Sequence, residues 1–345
     1  MTLHKIDRRN QILFAVLAFV NAIWIFLTYL SINRIGTLEP ATLARTLEAT
    51  AERPYIYRAL LPLLSQLFAP VIPVKLIEWL PNAPMGLRNS FGWLSDGGYE
   101  RQAAVILILI FLSLVAFAFA ERKLLQALGT GTKEQFVLAL LAQILVLPFS
   151  IQFSFYYDLP QVLLVTICLL FLYREQWWQY ILTLAIASFN KETSVFLITV
   201  FVIYYLQRLP LRKYLELLVA QVTIYSVIRA SLLYIFRNNP GTAVLLTWEG
   251  HYQQYKTYPS TLLFTLIFFC LIGFLLTRQW QRKHPFLRAA IVIPALILIL
   301  FFTSGMPMEF RVFLDALPVL VILGFPSTQA ASATAAVEAA QIVVK

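Results

Sequence analysis

Four short blocks combine ionisable side chains with aromatic or apolar neighbours in patterns that could support chemistry. In Arg53-Pro54-Tyr55-Ile56-Tyr57-Arg58-Ala59-Leu60-Leu61-Pro62, two arginines bracket an aromatic pair. A guanidinium fork matches phosphate through two parallel hydrogen bonds, and tyrosines stack on sugar faces or settle at headgroup level. Interfacial snorkelling is the plainer alternative. Tyr156-Tyr157-Asp158 sets a carboxylate just before Leu159-Pro160, near a helix N-terminus that stabilises its charge; simple capping accounts for it equally. Asn190-Lys191-Glu192-Thr193 interrupts two strongly apolar stretches, where ionisable residues are costly and mark function by default. A Lys–Glu pair clamping two helix ends is the structural alternative. Glu309-Phe310-Arg311 opens the last apolar run; residues two apart do not share a helix face, so separate partners are expected.

A fifth segment, Trp248-Glu249-Gly250-His251-Tyr252, could line a carbohydrate or headgroup site. A lone histidine beside one carboxylate is poor support for a metal, and no metal or cofactor is expected. The chain has no cysteine pair, H-E-x-x-H helix, glycine-rich phosphate loop or G-x-S-x-G elbow, so ATP-driven transport and serine hydrolysis have no support. Cys168 and Cys270 both lie inside apolar runs and read as small core residues.

The elements that must position these blocks are dictated by composition. Of 345 residues, 60% are hydrophobic and 13% charged, and the mean hydropathy is +0.75. Soluble domains carry about twice that share of charge. Disorder and a disulfide-stapled secreted fold are excluded as well. The apolar runs 11–31, 102–120, 136–152, 159–173, 176–189, 194–207, 214–236, 259–277, 289–303 and 312–325 predict an all-α polytopic transmembrane bundle of about ten spans. The first run is too long for a signal-peptide core and reads as a retained helix. The domain plan is one transmembrane domain over 1–325, with an outer loop at 32–100, and a mobile cytoplasmic tail at 326–345.

Charge then orients the bundle. With the N-terminus cytoplasmic, the inner segments hold 15 basic residues against six acids, and the outer ones 12 against 11. The net charge of +10 is therefore topological, following the positive-inside pattern, and gives no reason to expect nucleic acid. Runs of 14 or 15 residues reach only about 21–23 Å, against a hydrocarbon core of about 30 Å. Their polar tips, at 153–158, 190–193 and 305–311, are expected below the outer surface around a cavity. A single helix over 180–206 would flip every later loop, and the charge bias disfavours it.

The outer stretch 32–100 has its own grammar. Pro40 to Glu52 can form one short helix with Leu43 and Leu47 four apart; Arg53-Pro54 restarts the chain; Tyr55 to Phe68 reads as an interfacial helix. A third helix is expected at 72–80, carrying Lys75, Glu78 and Trp79. Together they predict amphipathic helices on the membrane surface.

This arrangement resembles the GT-C class of membrane glycosyltransferases. The likeness lies in the long first outer loop with surface helices and in the blocks Arg53 to Pro62, Tyr157-Asp158, Asn190 to Thr193 and Glu309 to Arg311. It covers most of residues 10–325. It implies sugar transfer from a polyprenyl-phosphate carrier to a glycan or lipid acceptor, on the periplasmic face of a bacterial inner membrane. One departure is that the class places an acidic residue or pair at the outer end of the first helix, whereas here the nearest is Glu39. The resemblance implies a carboxylate base, taken as Asp158, then Glu39, then Glu192. Lys191, Arg58, Arg53 and Arg311 would hold phosphate, with Tyr157, Asn190, Glu309 and His251 as further substrate contacts. The rivals are a Wzy-type polysaccharide polymerase and a non-enzymatic lipid or solute transporter.

Overall fold

A computed structural model describes residues 8–32, 42–73, 75, 98–150, 154–244, 246–306 and 308–324. Among them the chain is helical, and the sole β-type pairing is an isolated bridge between Arg53 and Gly241. Glu39, most of the helix expected at 72–80 and the tail at 326–345 lie outside the described residues.

The helices are α1 (Arg8–Ile32), α2 (Leu43–Leu47), α3 (Leu60–Phe68), α4 (Glu100–Ala127), α5 (Thr132–Ile144), α6 (Val146–Phe149), α7 (Asp158–Tyr173), α8 (Trp177–Asn190), α9 (Val195–Tyr205), α10 (Leu211–Ile235), α11 (Trp248–Thr257), α12 (Pro259–Thr277), α13 (Pro285–Ala290), α14 (Val292–Ser304) and α15 (Leu317–Gly324). Six described helical stretches are long and apolar enough to cross a membrane: α1, α4, α5 with α6, α10, α12, and α13 with α14. Large apolar side chains point outward from them, among them Val16 and Val20 on α1, Val219 and Val227 on α10, and Leu263, Ile267 and Phe274 on α12. An apolar exterior on that scale is compatible with a multi-pass membrane protein, where lipid covers what water could not.

The helices run antiparallel between two ends. At one end, Phe14 of α1 meets Phe119 of α4 and Phe136 of α5 edge to face, and Arg122 lies over the Phe14 ring. Tyr173, closing α7, touches His284 and Phe286 at the start of α13. Trp177, opening α8, contacts Tyr205 at the end of α9 at 5.1 Å and Lys213 at the start of α10. Lys283 donates to the carbonyls of Leu275 and Leu323, tying α12 to α15. This is the basic end.

The Trp177–Tyr205 contact rejects the single helix over 180–206. A straight helix would hold those residues about 42 Å apart. Instead α8 and α9 form a hairpin whose tip is Lys191 with a 3-10 turn at Glu192–Ser194. The break is local. Lys191 takes an extended backbone at φ −158° and ψ 143°, and the Ser194 hydroxyl donates to its carbonyl. At the tip, the Tyr225 hydroxyl of α10 donates to the Glu192 carbonyl. From Tyr225, α10 continues to Ile235, about 15 Å farther along its axis. The hairpin tip is therefore sunk below the far end of α10.

The outer segment is shorter in its helices than the sequence predicts. Leu43 and Leu47 are buried on α2, which stops at Leu47, short of the expected end at Glu52, and the single helix over 55–68 is broken into a 3-10 turn at Tyr55–Tyr57 and α3. The break falls at Arg58, whose backbone (φ −95°, ψ 65°) leaves the helical region as its side chain turns into the bundle. Ala51, Ile56, Tyr57 and Ala59 pack on Ile228 and Leu232 of α10 in a small core of their own.

Candidate functional site

Where α7, the hairpin tip and the 3-10 turn at Phe310–Ala316 meet, charged side chains interlock. Asp158 opens α7 and is fully buried. Its oxygens accept from Arg311 at 3.0 Å, Lys191 at 3.2 Å, the Ser154 hydroxyl at 3.2 Å and the Phe155 backbone N–H at 2.9 Å. Lys191 also pairs with Asp315 at 3.0 Å, and Thr193 donates to Asp315 at 2.6 Å. Arg311 pairs in addition with Glu309. Asn190 donates to the Tyr157 carbonyl and to Gln161, fixing the end of α8 against the start of α7. Tyr29, from α1, donates to Ser154 and to the Phe155 carbonyl behind Asp158.

A second group adjoins the first. Arg58 Nη2 lies 2.7 Å from Glu192 Oε1, and its Nε 3.4 Å from Oε2, a two-pronged contact. Arg229 of α10 reaches the same carboxylate at 3.8 Å. Arg58 also donates to the Tyr157 hydroxyl and lies 4.5 Å from that ring's centre. Arg311 lies 4.2 Å over Phe155, and the Phe155 and Tyr157 rings stack at 5.1 Å. The aromatic pair therefore joins the two groups. Burial opposes the Arg58 charge, but Glu192 and Tyr157 outweigh it and raise its pKa above the ordinary guanidinium value.

The groups differ in access. The side chains of Lys191, Asp158, Asp315, Arg311 and Glu309 are all at most 7% exposed, whereas that of Glu192 is 35% exposed. The closed group has two cations and three carboxylates; the open group has two cations and one carboxylate. The whole is balanced, with the positive excess on the accessible side.

The expected residues Asp158, Lys191, Glu192, Arg58, Tyr157, Asn190, Arg311 and Glu309 thus come together. Two do not join them. Arg53 donates through Nη2 to the Gly241 carbonyl at 2.6 Å and ties the outer segment to the 240–241 loop. His251 is bonded to the Gly305 carbonyl at 2.8 Å and to the Tyr255 hydroxyl, where it packs α11 against the end of α14. The expectation of separate partners for Glu309 and Arg311 also fails. Glu309 precedes the 3-10 turn with a non-helical backbone, so helical spacing does not govern the pair. Lys191 and Glu192, though adjacent, turn to different partners and do not clamp one another.

Arg229 and Asp315 belong to the site and were not assigned to it from sequence. Arg229 had a legible signal, being an ionisable residue deep in the apolar run 214–236. Asp315 had a weaker one in its closeness to Glu309-Phe310-Arg311. Among the described residues, no cluster of His, Cys, Asp and Glu has the makings of a metal centre.

Comparison of the chain with protein-family models, with curated proteins and with solved structures finds no match. The chemistry of the site carries the functional reading.

Proposed function

We propose that this chain is an integral membrane glycosyltransferase that moves a sugar from a polyprenyl-phosphate carrier to a glycan or lipid acceptor on the periplasmic side of a bacterial inner membrane. The observation that carries the reading is the sunken charged site, in which one accessible carboxylate faces two arginines beside stacked aromatic rings. Ten crossings follow if each antiparallel apolar segment spans, with the N-terminus and the basic end cytoplasmic by charge. The site then opens toward the periplasm, and the segment 42–73 lies at that surface.

In the reaction, the acceptor hydroxyl oxygen bonds to the sugar's anomeric carbon as the bond from that carbon to the phosphate oxygen breaks. The bonding pair leaves with the phosphate, and the hydroxyl proton passes to a carboxylate. Asp158 is poorly placed for this, being fully buried with both oxygens engaged. Glu192 has the access that the step requires, and the proton acceptor is assigned to it. Arg58 and Arg229 face the phosphate, whose growing negative charge they stabilise. Lys191, Asp158, Asp315, Arg311 and Glu309 hold the frame.

A transporter is the second reading, favoured by the half-length hairpin α8–α9 with its polar tip. Purified protein in proteoliposomes, given a polyprenyl-phosphate donor with a labelled sugar, separates the two. Label appearing in acceptor supports transfer. Label crossing the bilayer on intact donor supports transport and overturns the enzyme.

A further inference from the structure

We propose that Arg58 and Arg229 form a site for a phosphate-class anion which Glu192 occupies in the resting protein, and that the anion displaces the Glu192 carboxylate on binding. The proposal rests on the transferase reading and adds a coupling to it: the proton acceptor is released only once the donor phosphate is in place.

The geometry supports an exchangeable occupant. The carboxylate lies between two guanidinium groups, at 2.7 Å from one and 3.8 Å from the other. Both arginines are held independently of it. Arg58 donates to the Tyr157 hydroxyl, and Arg229 reaches the carbonyls of Tyr57 and Ser188 at 3.4 and 3.5 Å. Removing the carboxylate therefore leaves a preorganised pair of forks. Glu192 itself is tethered through its backbone, by the Tyr225 hydroxyl on its carbonyl, so the side chain can swing without undoing the hairpin tip. Its exposure gives it somewhere to go. Asp158 and Asp315, boxed in by Lys191, have no comparable outlet. Charge favours exchange as well. The open group carries two cations for one carboxylate, and a phosphate that takes both cations leaves Glu192 to be neutralised by the proton it accepts.

Competition from an internal ligand lowers apparent affinity by the fraction of time the site is occupied. The test measures binding of dodecyl phosphate and, separately, inorganic phosphate to the full chain in dodecyl maltoside. It compares the wild type, Glu192→Gln and Arg229→Ala, with melting temperature recorded for each. Glu192→Gln should bind dodecyl phosphate about tenfold more tightly than wild type, and Arg229→Ala about tenfold or more weakly. The same gain with inorganic phosphate assigns the site to the bare anion, and a gain confined to dodecyl phosphate assigns it to a lipid headgroup. Glu192→Gln that folds but binds no more tightly than wild type overturns the displacement and leaves the transferase reading standing. Absence of binding in both wild type and Glu192→Gln overturns both.

Wild-type protein alone supplies a second measurement that needs no substitution. Carbodiimide labelling of Glu192, read by peptide mass spectrometry, should rise when dodecyl phosphate is added. A fall means that the anion covers Glu192 without displacing it, and overturns the proposal.

Discussion

At the scale of single residues, adjacent charges divide by exposure into a closed group around Lys191 and an open one around Glu192. Lys191 is the keystone of the closed group, since among the described residues it alone bridges Asp158 and Asp315. Lys191→Ala should cost about 3–5 kcal/mol by leaving buried carboxylates uncompensated, seen as lost folded protein and a lowered melting temperature. Adding Asp315→Asn should recover part of that loss, because Asp158 still has Arg311. Additive losses in the double variant would show that the Lys191–Asp315 pair is not coupled. Glu192→Gln, at the accessible edge, should cost less than Lys191→Ala, because its carboxylate is partly exposed and Arg58 keeps the Tyr157 hydroxyl. A different outcome is expected at Glu121 of α4, which is fully buried with no hydrogen-bond partner at either carboxylate oxygen among the described residues. Removing a buried polar group that lacks a partner relieves about 1–3 kcal/mol of desolvation. Glu121→Leu should therefore raise the melting temperature of the detergent-solubilised protein, and a drop would reveal a role for the carboxyl that packing does not explain.

At the scale of elements, the site depends on a tie between two outer segments. Asn239 donates to the carbonyls of Ala49 and Ala51, the Arg53 backbone N–H donates to Pro240, and Gly241 pairs with Arg53. Gly241 has a φ of +83°, and a Cβ there would come 2.7 Å from the Arg53 carbonyl oxygen. Gly241→Ala should cost about 1–2 kcal/mol in backbone strain alone, with more from that contact. Because Arg53 leads directly into Arg58, donor binding should weaken along with stability; unchanged binding would disconnect the tie from the site. The helices themselves were legible, since apolar runs bounded by charges mark them, and the apolar run at 259–277 coincides with α12. The hairpin tips were legible for the same reason. What escaped was partner choice. Spacing along the chain says nothing of Asp315 meeting Lys191 across 124 residues, nor that Arg53 and His251 would satisfy backbone carbonyls instead of the site. The split of the predicted helix over 55–68 at Arg58 was legible locally, because Pro62 would clash with the Arg58 carbonyl in a continuous helix but fits the first turn of one that starts at Leu60; the partner that Arg58 then meets was not.

At the scale of the whole molecule, a balanced knot of charge is sunk within an apolar helical bundle, at the end away from its basic loops. The proposed topology, with the N-terminus cytoplasmic, predicts that Arg282→Cys, made in a Cys270→Ser background to remove the exposed native thiol, resists an impermeant thiol reagent in intact cells and reacts once the membrane is opened. Labelling from outside would invert the topology and put the site on the cytoplasmic face. The central claim is that Glu192 takes the acceptor's proton while the arginines hold the donor phosphate. The most direct measurement pairs donor binding with turnover in wild type and Glu192→Gln, using a polyprenyl-phosphate donor carrying a labelled sugar. The expected result is transfer by the wild type and, in Glu192→Gln, donor binding at least as tight with turnover lower by about 10²–10⁴. Near-normal turnover in Glu192→Gln, or no transfer by the wild type, would contradict it.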